Sequence, residues 1–206
     1  MPPVNFTLRI FNFHVDQMLE LGYPVESLAV DIAEALATKH WIANVDAYDI
    51  EFVLGSGEKT YSCDTLTSLN IEANDINTLK LHTDFESLLN MNATRQTTRL
   101  WVLDFNLCNV WNENTAIHNS ETLVSHLVEA FYENDPYYPL PLMENPADQS
   151  LWTVFSESSL TKATAVLRIK DERLASLPQQ FIDGCIQRER INLEKGLEHG
   201  HRGLKQ

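Results

Sequence analysis

Two short runs, Ile50–Leu54 and Arg99–Phe105, carry the β-branched and aromatic enrichment of strands and end in polar turns. About forty residues rich in Thr, Asn, Ser and Asp lie between them, far beyond an ordinary connection, so 55–98 reads as a variable insertion or flap. With so little strand, the core of a 206-residue chain must come from helices. The expected class is α+β and mostly helical, with one small antiparallel hairpin. A single domain is expected over residues 1–195, followed by a polar tail at 196–206.

The helices follow from apolar spacing. Val25, Leu28, Ala29, Ile32, Ala33, Leu36 and Ala37 recur at i, i+3, i+4 and i+7, which predicts a helix from Pro24 to His40 with one buried face. A shorter helix is expected over His14–Leu21, stopping at Gly22, after an extended Val4–Phe13 segment. Ser120 is a candidate N-cap for a helix carrying Leu123, Val124, Leu127, Ala130 and Phe131, and Asn134-Asp135-Pro136 must break it. Further helices are expected over Gln149–Leu167 and from Pro178 onward. Trp101, Trp111, Trp152 and the Phe131, Tyr132, Tyr137, Tyr138 group read as core rather than as a ligand-stacking box. Leu79, Leu81, Phe85, Leu88 and Leu89 hint at a local element inside the insertion.

Composition narrows the function classes. A 44% hydrophobic share, 21% charged residues and only 7 Gly and 8 Pro fit a folded chain rather than a low-complexity one. No apolar run is long enough to span a membrane and no signal-peptide pattern opens the sequence, so an intracellular protein, cytoplasmic or nuclear, is expected. Fifteen basic against 29 acidic side chains leave a net charge of −14, which repels a phosphate backbone and argues against nucleic acid. Cys63, Cys108 and Cys185 are far apart with no paired spacing, so they read as buried free thiols rather than zinc ligands or disulfides. The Asn5 and Asn92 glycosylation patterns carry no weight without a secretion signal.

Gly55-Ser56-Gly57-Glu58-Lys59-Thr60 superficially matches a phosphate loop, but Glu58 stands where glycine must precede Lys-Thr and no helical period follows. It reads as a solvated turn. More informative is the order helix, acidic loop, strand, insertion, strand, with Asp46, Asp49 and Glu51 before and on the first strand and Asp104 at the end of the second. In a hairpin these carboxylates meet at one end, as ligands for Mg²⁺ or as an exposed acidic edge, and the residues alone favour the edge. His40 reads as a packed or capping histidine.

Three ordered blocks, His40-Trp41-Ile42-Ala43-Asn44-Val45-Asp46 through Gly55, Leu100-Trp101-Val102-Leu103-Asp104-Phe105-Asn106, and Ala130-Phe131-Tyr132-Glu133-Asn134-Asp135-Pro136 through Pro139, resemble a fungal family of unknown function. Some of its members carry the label zinc finger protein, which the cysteine spacing and the lone His199-Gly200-His201 pair do not support. That family remotely resembles the C-terminal lobe of protein kinases and aminoglycoside phosphotransferases. The resemblance implies a kinase-like C-lobe with its N-lobe missing, Asp46 as catalytic aspartate, and Glu51 and Asp104 as Mg²⁺ ligands. No His-Arg or His-Gly precedes Asp46, Glu51 replaces the usual Asn, and Asn106 replaces the Gly of Asp-Phe-Gly. The expected function is therefore a non-catalytic, pseudokinase-like interaction or regulatory module acting through a protein partner or self-association. The alternative is a small-molecule phosphotransferase fragment needing an N-lobe from elsewhere. No cofactor is expected for the first reading, and Mg²⁺ accompanies the second.

Overall fold

The structure, a computed structural model, describes residues 14–57, 97–134, 137–170 and 172–201. The expectations for Val4–Phe13, Cys63, most of the insertion, both glycosylation patterns and residues 202–206 lie outside these. The chain divides into two compact units, Met1–Phe52 with Val102–Gln206, and Val53–Trp101. The class is α+β and mostly helical, as the scarcity of strand requires.

In chain order the elements are α1 (Val15–Glu20), α2 (Val25–Trp41), β1 (Glu51–Gly57), β2 (Thr97–Leu103), α3 (Glu113–His118), α4 (Ser120–Glu133), α5 (Pro146–Lys170), a 3₁₀ turn (Glu172–Leu174) and α6 (Leu177–Glu194). Strands β1 and β2 pair in a two-stranded sheet. The expected helices lie within a few residues of their predicted bounds; the long ones each bury an apolar stripe, whereas α1 buries no residue and stops at Gly22 as expected. One cap differs: Asn119, not Ser120, occupies the N-cap of α4. Helix α3 is too short to show a period, and its start is marked by Asn112, whose Oδ1 accepts from the Asn114 and Thr115 amides.

Helix α2 packs along α5, and α4 packs against α6. On α2 the buried face is Ala29, Ala33, Leu36, Ala37, His40 and Trp41, small residues first and large ones at the C-terminal end. On α5 the stripe Leu151, Phe155, Ser159, Ala163 and Leu167 is buried at strict four-residue spacing. Phe131 of α4 is the centre of an aromatic cluster, stacked on Tyr138 at 4.4 Å and edge-on to Phe181 of α6 at 5.9 Å, with Phe155 of α5 at 6.1 Å. Of the aromatic residues expected in the core, Phe131, Tyr132 and Tyr138 are buried. Trp101 is not: strand β2 turns it to the surface, where its indole lies against Gly55 of β1. Cys185 is buried as expected, whereas Cys108 is partly exposed because it sits in the loop after β2 rather than on a helix face.

Residues 197–201 fold back on α6. Glu189 is wholly buried there and accepts from His199 Nδ1 at 2.8 Å and from the Gly200 amide at 3.1 Å. The Leu197 amide donates to the Asn192 carbonyl, which holds the same segment by its backbone.

Gly184 sets how closely α6 approaches α4, since a Cβ there would come within 2.8 Å of Val128 Cγ2. Alanine improves helix propensity by about 1 kcal/mol, but Val128 is stiff at χ1 and overpacking costs about 1–3 kcal/mol. Gly184→Ala is expected to lower the urea midpoint, and adding Val128→Ala to recover part of that loss in a double-mutant comparison. Equal or higher stability of the single variant would contradict the close approach.

Candidate functional site

The loop between α2 and β1 is coiled tightly, with Asn44, Ala47 and Asp49 all in the left-handed region at φ 56°, 56° and 63°. It is held against the segment that follows β2. Val45 and Val110 form an antiparallel bridge, the Asp46 amide donates to the Asn109 carbonyl at 3.0 Å, and the Trp111 amide donates to the Asn44 carbonyl at 2.8 Å. Asn44 Nδ2 donates to Glu113 Oε1, so the start of α3 belongs to the same junction.

This coiling turns Asp46 inward. Its side chain is 1% exposed and both carboxylate oxygens are occupied. Oδ1 accepts from the Asn109 amide at 2.8 Å and the Tyr48 amide at 3.1 Å, and Oδ2 accepts from Asn109 Nδ2 at 2.9 Å and His126 Nε2 at 2.8 Å. Burial alone would raise the Asp46 carboxyl, but the bonds from Asn109, Tyr48 and His126 outweigh it and hold the group below its ordinary value. Asp46 is thus an ionised, fully bonded buried carboxylate.

His40, at the end of α2, is buried between Trp41 and Phe181, edge-on at 5.7 and 5.0 Å. Its Nε2 lies 3.3 Å from the Asp46 carbonyl, which only accepts, so Nε2 carries the proton. Burial pushes the imidazole down to about 4, against the smaller upward pull of the Asp46 carbonyl bond. The packed histidine of the sequence reading is what the fold contains. Asn134, the residue just past α4, completes the frame: its Nδ2 donates to the Ala47 carbonyl at 2.9 Å and its Oδ1 accepts from the Asp49 amide.

The other sequence candidates sit differently. Glu51 opens β1 and is half-buried. Asp104 follows β2, exposed, at φ 56°. Cys108 registers the electrostatics of this region: burial raises its thiol most, Asp46, Asp104 and Asp49 push the same way, and Lys39 opposes them. Among the described residues no three His, Cys, Asp or Glu side chains converge as ligands for a metal ion. Asn109, His126 and Asn134 escaped the sequence reading because each is far in sequence from the loop it bonds. Asn134 was read only as the end of its helix, and the one signal for His126 is its place as a polar residue one helical turn from buried Leu123 and Ala130 on α4.

The histidine makes an expected pH dependence. Its folded value lies below the unfolded 6.5, so the unfolded chain binds more protons between those limits. The stability it contributes is complete above about 6.5 and is lost as pH falls toward 4, an order of about 3 kcal/mol. Asp46, also lowered, adds a second loss only below its ordinary value of 3.8. Urea midpoints measured from pH 7 to 4.5 are expected to fall steeply for the natural chain and less steeply for His40→Gln. Parallel curves would contradict the neutral buried imidazole.

Among the described residues no helix is long and apolar enough to cross a membrane. No curated protein and no solved structure matches the chain. A family model, DUF3669, described as zinc finger protein, matches residues 100–171, in keeping with the resemblance to a family of unknown function bearing that label. The matched stretch runs from β2 through the end of α5 and so contains Asn109, His126 and Asn134, the side chains that hold the Asp46 loop.

Proposed function

We propose that the chain is a kinase-like, non-catalytic interaction or regulatory module. The observation that carries this reading is the state of Asp46. A catalytic aspartate accepts a proton from a substrate hydroxyl and must reach it with a free oxygen. Asp46, which occupies that position in the resemblance, is buried with four hydrogen bonds on its two oxygens. The charge that phosphoryl transfer would use is spent on holding the loop.

The order of elements supports the kinase-like part: helix α2, the acidic loop, paired β1 and β2, then Asp104-Phe105 directly after the second strand. An interaction role is supported by the segment that follows. Leu103, Phe105, Leu107 and Val110 are all exposed. So many large apolar side chains left at the surface over one short run is the usual mark of a contact surface. The partner class that fits is another protein or a second copy of this chain.

Calorimetric titration of MgATP into the purified chain is the test. No saturable heat is expected, because Asp46 is sealed and a net charge of −14 repels the triphosphate. Micromolar affinity that disappears in Asp104→Ala would overturn the non-catalytic reading in favour of a phosphotransferase. In parallel, Leu107→Lys with Val110→Lys is expected to reduce self-association or partner capture without changing the helical circular dichroism.

A further inference from the structure

We propose that His126 is a surface ligand for a zinc-type divalent cation, held in its binding orientation by buried Asp46 and assisted by Glu129 one turn along the same helix. The inference rests on the geometry around His126 and is independent of the kinase-like reading.

The first step fixes the tautomer. An ionised carboxylate only accepts hydrogen bonds, and the three other donors to Asp46, two backbone amides and Asn109 Nδ2, leave it fully committed. Nε2 of His126, 2.8 Å from Oδ2, therefore carries the hydrogen, and in the neutral ring the lone pair is on Nδ1. Nothing among the described residues bonds Nδ1. The side chain is 48% exposed while its anchor is 1% exposed. A carboxylate that receives one ring N–H and leaves the other nitrogen unencumbered is the arrangement by which proteins orient metal-binding histidines.

The second step concerns what lies beside the ring. His126 lines a shallow depression on α4 together with Glu121, Thr122, Ser125 and Glu129. Glu129 is three residues on, which places it next to His126 on the helix surface. Two glutamates in a chain of net charge −14 select a cation over an anion. An imidazole nitrogen with a carboxylate oxygen suits zinc and its neighbours, whereas Mg²⁺ and Ca²⁺ favour oxygen ligands throughout. Water completes the shell, so binding is reversible and of modest affinity. Its consequence is local: a cation on Nδ1 keeps the ring turned toward Asp46 and so reinforces the link between α4 and the loop that bears Asp46.

The test uses the full chain and zinc chloride alone. Nitrogen-detected spectra of the histidine rings in the metal-free protein are expected to show His126 as a single Nε2–H tautomer; a tautomer mixture would overturn the orienting role of Asp46. Calorimetry is expected to show saturable one-to-one binding, weakened at least about tenfold in His126→Gln and weakened also in Glu129→Gln, which lies outside the Asp46 network and so tests the site without disturbing it, with the fold of each variant checked by circular dichroism. Asp46→Asn, which keeps the shape but loses the charge and turns one of the two acceptor oxygens into a donor, is expected to cost about 10–100-fold. No binding at millimolar zinc, or binding unchanged in His126→Gln, overturns the proposal, the latter because it would place the metal on other histidines.

Discussion

A carboxylate removed from water costs several kcal/mol unless its lone pairs are met, and Asp46 is removed almost completely. The compensation comes from three places that are far apart in sequence: its own loop through the Tyr48 amide, the segment after β2 through Asn109, and α4 through His126. Each must be in position for Asp46 to remain buried and charged. Its carbonyl adds a fourth attachment, to His40 at the end of α2. The loop after α2, the segment after β2 and helix α4 are therefore joined around one side chain.

The same requirement shapes the backbone. Ala47, wholly buried at φ 56°, has a conformation that costs an alanine about 1–2 kcal/mol, and it persists because its carbonyl is held by Asn134 Nδ2 on one side and its neighbours by Asp46 and Asn109 on the other. Asn134 is itself buried and shared with the Tyr138 hydroxyl at 3.0 Å, so the polar frame is continuous with the aromatic cluster around Phe131. A second buried carboxylate, Glu189, is met in the same manner by His199 and Gly200, which is why a segment without apolar pattern lies against α6. In both cases a histidine supplies the hydrogen bond from a less buried position.

Much of the architecture was legible from spacing. The buried residues of α2, Ala29, Ala33, Leu36 and Ala37, lie on the stripe the helical period selects, of which Val25, Leu28 and Ile32 are only partly buried, and the pairing of β1 with β2 follows from having only two such runs. Asp46 was legible as a residue of interest through the order of the acidic loop and strands. Its condition was not, because Asn109 lies sixty-three and His126 eighty residues away, and no local pattern announces a hydrogen bond over that separation. Trp101 was misjudged for a related reason: alternation along a strand tells which residues share a face, and only the packing of the strand decides which face meets water.

What the sequence by itself determined is the distribution of apolar residues, and with it the helical class, the positions of the longer helices, the break after Glu133 at Asn134, and the place of His40 at the end of α2. These depend on periods of a few residues, over which the chain's own geometry is the only constraint. The tertiary structure alone decided that Asp46 faces inward, that His126 is turned by it, and that Glu189 is closed over by residues 197–201. The energy of a buried charge depends on which donors surround it in space, and that set is assembled only when distant segments pack together.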